Sequence, residues 1–116
     1  MKKAHEIGRQ GEAIALHFLA CKKYNILERN WRWQKAEIDI ISQDEKILVF
    51  VEVKTRSTER YGQPKEFVSI RKEALMKEVA ETYLEINELE IELRFDIISI
   101  VLKKGPPKIE RLENVF

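Results

Sequence analysis

Ala36-Glu37-Ile38-Asp39-Ile40-Ile41 and Ile47-Leu48-Val49-Phe50-Val51-Glu52-Val53-Lys54 are two apolar runs broken only by acids and a terminal lysine. Read as neighbouring strands, they decide both the fold and the place to look for chemistry. In the second run Ile47, Val49, Val51 and Val53 occupy one face while Leu48 and Phe50 lead up to Glu52 on the other. That is the pattern of a central strand covered on both sides. Burying an ionised carboxylate without a partner is costly, so acids in such runs are paired, protonated or bound to a cation.

Positions two apart on a strand share a face, so Glu37 goes with Asp39 and Glu52 with Lys54. Between the runs, Ser42-Gln43-Asp44-Glu45-Lys46 has about the length of a hairpin loop. A turn centred on Asp44-Glu45 sets Glu52 opposite Glu37, and one centred on Glu45-Lys46 sets it opposite Asp39. Either register puts all four groups on one face. Directly opposed Cβ atoms lie roughly 5 Å apart, near enough for carboxylates to share a divalent ion with Lys54 beside it. Hard oxygen donors select Mg²⁺ or Mn²⁺, and the matching chemistry is phosphodiester hydrolysis. The ion polarises the phosphoryl oxygen and helps form hydroxide, while the lysine supplies positive charge to the attacking water or the developing phosphorane. The competing reading is a structural salt-bridge cluster.

Working outward, Ile7, Gly11, Ile14, Ala15, Phe18 and Leu19 recur with helical period from Glu6 to Ala20. Tyr24 to Trp33 reads as a strand with Trp31 and Trp33 on one face and Asn30 and Arg32 on the other. The tryptophans either cover the core or stack on unpaired bases. Thr55 to Glu66 lacks periodicity and reads as a loop, in which Arg56 and Arg60 are expected to meet nucleic-acid phosphates; a surface salt bridge is the bland alternative for Arg56. Ser69 is expected to cap a second helix running to about Glu85, with Leu75, Val79, Thr82 or Tyr83, and Ile86 as its apolar positions. Lys72 sits in the first turn, unfavourably for the helix dipole, which hints at a ligand-facing role on nucleic acid. Glu92 to Leu102 is a further strand on which Arg94 and Asp96 are expected to pair. Gly105-Pro106-Pro107 is a turn, and Lys108 to Leu112 a short edge strand. The chain is thus α/β, in the order helix-strand-strand-strand-helix-strand.

Glu37-Ile38-Asp39 followed by Phe50-Val51-Glu52-Val53-Lys54-Thr55-Arg56 resembles the PD-(D/E)XK nuclease motif. With Gly8, Gly11-Glu12-Ala13, Arg29-Asn30, Tyr61-Gly62, Lys72 and Arg94-Phe95-Asp96-Ile97-Ile98, nearly the whole chain resembles the YraN family of small bacterial endonuclease-like proteins. The layout is also similar to archaeal Holliday junction resolvases. The resemblance implies a restriction-endonuclease-like core, with a mixed central sheet flanked by helices, spanning residues 1–116 as a single domain. It adds Glu12 and the Val53 carbonyl to the metal site, and it implies a nuclease or nuclease-like protein acting on DNA rather than RNA, on branched or repair intermediates. The chain departs from the pattern at Ala36, where relatives carry Gly, and at Ile38, where the motif's name has Pro. A non-catalytic nucleic-acid or protein interaction module of the same fold is the alternative.

At 116 residues the chain is long enough for one core that buries roughly two thirds of the unfolded surface. Its 35% charged content and lack of a long apolar run argue against a membrane span or a signal peptide, so a cytoplasmic protein is expected. One cysteine, Cys21, excludes an intramolecular disulfide or a cysteine-based zinc site within the chain and reads as a small core residue. His5 and His17 read as ordinary helix residues. The net charge of +1 hides an asymmetry: 15 Lys/Arg against 10 Asp/Glu through Lys72, then 6 against 10. The basic half carries the motif, as phosphate binding requires, although solvated surface charge explains the asymmetry as well. A two-fold homodimer would suit a symmetric branched substrate.

Overall fold

The computed structural model describes residues 3–57 and 70–116. The expected Arg60 contact, Tyr61-Gly62 and the Ser69 cap lie outside the described residues. Helix α1 (Lys3–Cys21) is followed by strands β1 (Asn25–Trp33), β2 (Ala36–Asp44) and β3 (Ile47–Arg56), helix α2 (Ile70–Ile86), and strands β4 (Glu92–Val101) and β5 (Lys108–Leu112). The strands form a five-stranded sheet in sequence order, antiparallel except for the parallel β3–β4 pair that α2 bridges. This is the mixed sheet and element order that the sequence implies. No helix among the described residues is long and apolar enough to cross a membrane.

Two apolar layers sandwich the sheet. On one face Ala15 and Leu19 of α1 pack on Ile40, Val49, Val51, Ile98 and Ile100. On the other, Met76, Val79, Ala80 and Tyr83 of α2 pack on Ile38, Ile41, Leu48, Phe50 and Phe95. The alternation along β3 therefore divides its side chains between two cores, as a central strand's should. Helix α2 differs from expectation in its buried stripe: Leu75 and Ile86 are exposed, and Met76 and Ala80 take their places. Cys21, expected in the core, is exposed too, its Sγ 3.4 Å from His17 Nε2.

Both helices stop the same way. Lys23 and Glu88 adopt positive φ (69° and 51°), and the next amides reach back, Tyr24 to the Leu19 carbonyl and Leu89 to that of Leu84. These are Schellman terminations made without glycine. The β2–β3 hairpin turns on only Glu45 and Lys46, so β2 continues to Asp44 and the longer loop expected there is absent. Strand β3 likewise runs on through Arg56, opposite Val101, which makes Arg56 a strand residue rather than part of a loop.

Candidate functional site

The tight hairpin settles the register. Paired residues Asp44↔Ile47 to Ile40↔Val51 extend, one step further, to Asp39 opposite Glu52. There the regular ladder ends, and Asp39 Oδ2 accepts the Val53 N–H at 2.8 Å in place of a main-chain partner. On its other side Asp39 faces Asn30, which falls between the pairs Arg29↔Ile40 and Trp31↔Ile38 and has φ of 53°. The disturbance turns the strand. Ile41 lies in the α2 layer and Ile40 in the α1 layer, but Ile38 lies in the α2 layer again. Two residues two apart thus face opposite cores, and the period-two rule fails at Asp39.

That failure corrects the expected four-group face. Glu37 is exposed and turns to Arg32, its neighbour in register, at 3.4 Å. Asp39 feels its charge only as the weakest of the causes acting on it. Glu52 and Lys54 do stay together, Lys54 Nζ lying 3.7 Å from Glu52 Oε1. Lys72, from the first turn of α2, reaches the same oxygen at 3.2 Å. The mismatch between Lys72 and its helix dipole is thereby accounted for: its partner is a buried acid on β3.

Asp39 is the electrically distressed group. Burial, then the charge of Glu52, push its carboxyl up to about 7, against the Val53 amide, which favours the ionised form; Glu12 and Glu37 add smaller upward pushes. Burial likewise lowers the Lys54 pKa, with Lys72 pushing the same way and Glu52 and Asp39 opposing. A carboxyl raised and an ammonium loosened side by side are the condition that sites of proton transfer and cation binding share.

Glu12 arrives from α1. Its Oε1 accepts the Asn30 side-chain amide at 3.0 Å, and it lines, with Ile7, Gly8, Asp39, Lys54 and Arg56, an open cleft of about 460 Å³. The helix lies close enough because Gly11 has no side chain: a Cβ there would overlap the Thr55 hydroxyl, next to Lys54. Asn30 was visible in the sequence as a strand residue facing away from the tryptophans. The left-handed backbone that aims it at Glu12 carries no signal that a strand pattern reveals.

Asp39, Glu12 and Glu52, with the Val53 carbonyl, are the groups that could hold a cation. Among the described residues no three acids already converge on one point, Glu12 being tied to Asn30 and Glu52 to two lysines. The donor chemistry nevertheless fits a hard divalent ion, since all are oxygens, and the burial and mutual repulsion that lift Asp39 are what such an ion offsets.

Residues 11–100 match the family described as "Uncharacterised protein family UPF0102". The chain is 46% identical to a UPF0102 protein of Flavobacterium psychrophilum over 116 residues, covering 100% of this chain and 98% of the relative. A UPF0102 protein of Prosthecochloris aestuarii is also 46% identical, over 120 residues covering 97% of this chain and 94% of the relative. One from Thermodesulfovibrio yellowstonii is 40% identical over 111 residues, covering 96% of each. The chain belongs to the UPF0102 family, the YraN family of the sequence resemblance.

Proposed function

We propose that this UPF0102 protein is a Mg²⁺- or Mn²⁺-dependent nuclease that hydrolyses DNA phosphodiester bonds, with branched or repair intermediates as its substrate class. One observation carries the reading. Asp39, bonded to the Val53 amide, has its carboxyl raised to about 7 by burial and by Glu52, in a cleft that also holds Lys54 and Arg56. Asp39, Glu52 and the Val53 carbonyl would hold the ion, and Glu12 a bound water or a second ion. Such an ion polarises a phosphoryl oxygen and makes hydroxide accessible at neutral pH. Lys54, its proton loosened by burial, orients the attacking water and exchanges a proton with it, or offsets charge growing on the phosphoryl oxygens. Arg56, at the end of β3 in the same cleft, suits a phosphate flanking the cut.

Labelled duplex, flap and four-way-junction DNA incubated with pure protein and Mg²⁺ or Mn²⁺ test this. Cleavage is expected from the wild type and is expected to fall by at least about a hundredfold in Asp39→Asn and in Lys54→Ala. Cleavage that survives both changes removes the assignment.

A second reading has its own support. Glu52 already carries two lysine partners, at 3.2 Å and 3.7 Å, as an acid satisfied within the protein does. On that reading the chain is a non-catalytic nucleic-acid or protein interaction module. Calorimetric titration separates the two: the nuclease binds Mn²⁺ and loses that binding in Asp39→Asn, whereas the module takes up none.

A further inference from the structure

The geometry points to a binding site for an unpaired DNA base on Trp33, at the end of edge strand β1 where the chain turns into β2. The segment Arg29-Asn30-Trp31-Arg32-Trp33-Gln34-Lys35 carries three cations and no acid. Its two indoles lie parallel, at 7°, with ring centroids 6.5 Å apart. They differ in their duties. Trp31 packs against the α2 core and meets Tyr83 edge-on at 5.1 Å, so covering the core accounts for it. Trp33, opposite Ala36 at the rim of the α2 layer, is 37% exposed.

Other large apolar side chains are exposed as well, among them Leu27 and Leu75, and single exposed residues need no explanation. Trp33 is different because its orientation is fixed. Trp31 aligns it, Tyr83 pins Trp31, and the Tyr83 hydroxyl bonds Glu28 of β1 at 3.3 Å. A flat aromatic face held ready, with exposed Lys35 in the adjoining turn and exposed Arg29 and Arg32 on the other side of the same edge strand, Arg32 paired with Glu37, matches the two parts of a single-stranded nucleotide. The ring takes a base by stacking, and the cations attract the backbone. Stacking on a preorganised ring avoids much of the ordering cost of binding.

The position relates this site to the cleft. Trp33 pairs with Ala36 on the α2 face and lies three residues beyond Asn30, whose amide turns to Glu12 of α1 on the other face; the separation is about 10 Å along the strand, and the path between the two runs around the sheet edge. A base held on Trp33 would therefore sit within a few nucleotides of a phosphate at Asp39. The placement rests on the nuclease reading and explains why an unpaired substrate would be preferred; the stacking itself requires neither metal nor cleavage.

Trp31 and Trp33 are the chain's 2 tryptophans, so intrinsic fluorescence reports on this pair alone. Titration with a short oligothymidylate in EDTA at low salt is expected to quench the wild type in a saturable, salt-sensitive way, with the matching duplex quenching far less. By fluorescence anisotropy of labelled DNA, Trp33→Leu is expected to bind about tenfold more weakly, while Trp33→Tyr, which keeps a ring, stays close to the wild type. No quenching, equal quenching by duplex, or unchanged binding by Trp33→Leu would each overturn the site. Because EDTA prevents metal-dependent cleavage, those outcomes leave the nuclease assignment standing, and a failed cleavage assay leaves the stacking site standing.

Discussion

Two aspartates, both held in the sheet, show opposite ways of burying a charge. Asp96 on β4 has a fully buried side chain, yet Arg94 Nε and Nη2 each reach it at 2.9 Å and the Asn114 amide donates at 3.0 Å. The arginine is steadied in turn by Tyr24, whose hydroxyl also takes Arg111 at 2.8 Å, and its affinity for its proton rises through the bonds to Asp96. Asp39 on β2 has one backbone amide and a surround of other carboxylates, and its carboxyl rises to about 7. Burial alone therefore distinguishes nothing. What separates a structural acid from a candidate site is whether the protein supplies the counter-charge or leaves it to a ligand.

Replacing each aspartate by asparagine puts that comparison at greatest risk. Asp96→Asn leaves Arg94 largely buried without its counter-ion and is expected to cost about 3–5 kcal/mol, read from the urea midpoint at unchanged slope. The same change at Asp39 removes repulsion while its amide oxygen still accepts the Val53 N–H. In EDTA at pH 8 it should therefore leave stability unchanged or higher. Equal losses at the two positions would make Asp39 an ordinary structural acid.

A smaller effect follows from ionisation. The carboxyl of Asp39 goes from 3.8 in its unperturbed form to about 7 in the folded protein. As pH rises from about 4, the unfolded chain gives up this proton first while the folded protein keeps it, so the folded state binds more protons and stability must fall. The loss is complete above about 7 and should reach about 2–4 kcal/mol by pH 8, judged from the size of the shift. Every other ionisable group also contributes to the pH dependence of the whole protein, so the quantity to measure is the wild type minus Asp39→Asn across pH 4–8. Saturating Mn²⁺ should flatten that difference, because an ion that binds the carboxylate favours the ionised folded state. A flat difference in EDTA would show that Asp39 ionises normally.

Much of this was legible in the sequence, for identifiable reasons. Strand β3 announces its two buried faces because alternation from Ile47 to Val53 is uninterrupted, and the Arg94–Asp96 pairing follows from the same rule on β4. The rule broke where backbone irregularity intervened. Asn30 at φ 53° and the end of the β2–β3 ladder at Ile40 rotate β2, which sends Glu37 to Arg32 rather than to Asp39. The hairpin register was undecidable from residues 42–46 because both turns satisfy the same polar pattern. Contacts that cross between a helix and the sheet, Lys72 with Glu52 and Asn30 with Glu12, depend on how close the helices approach, and no periodicity encodes that distance.

The finest test concerns how Asn30 serves Asp39, since one residue does two separable things. Its left-handed backbone lets β1 turn beside Asp39, and its amide fixes one oxygen of Glu12 at 3.0 Å. Asn30→Gly keeps the first and deletes the second, because glycine adopts positive φ without strain. Asn30→Ala deletes the amide and adds a backbone penalty of about 1 kcal/mol. If the amide holds Glu12 in place to complete the cation site, both variants should bind Mn²⁺ about tenfold more weakly by calorimetry, as loss of an orienting partner does, while only alanine lowers the melting temperature appreciably. If Asn30 matters for its backbone alone, glycine will match the wild type in both measurements. Glu12 would then be a bystander to the ionisation of Asp39, and the contrast with Asp96 would rest on Glu52 and burial alone.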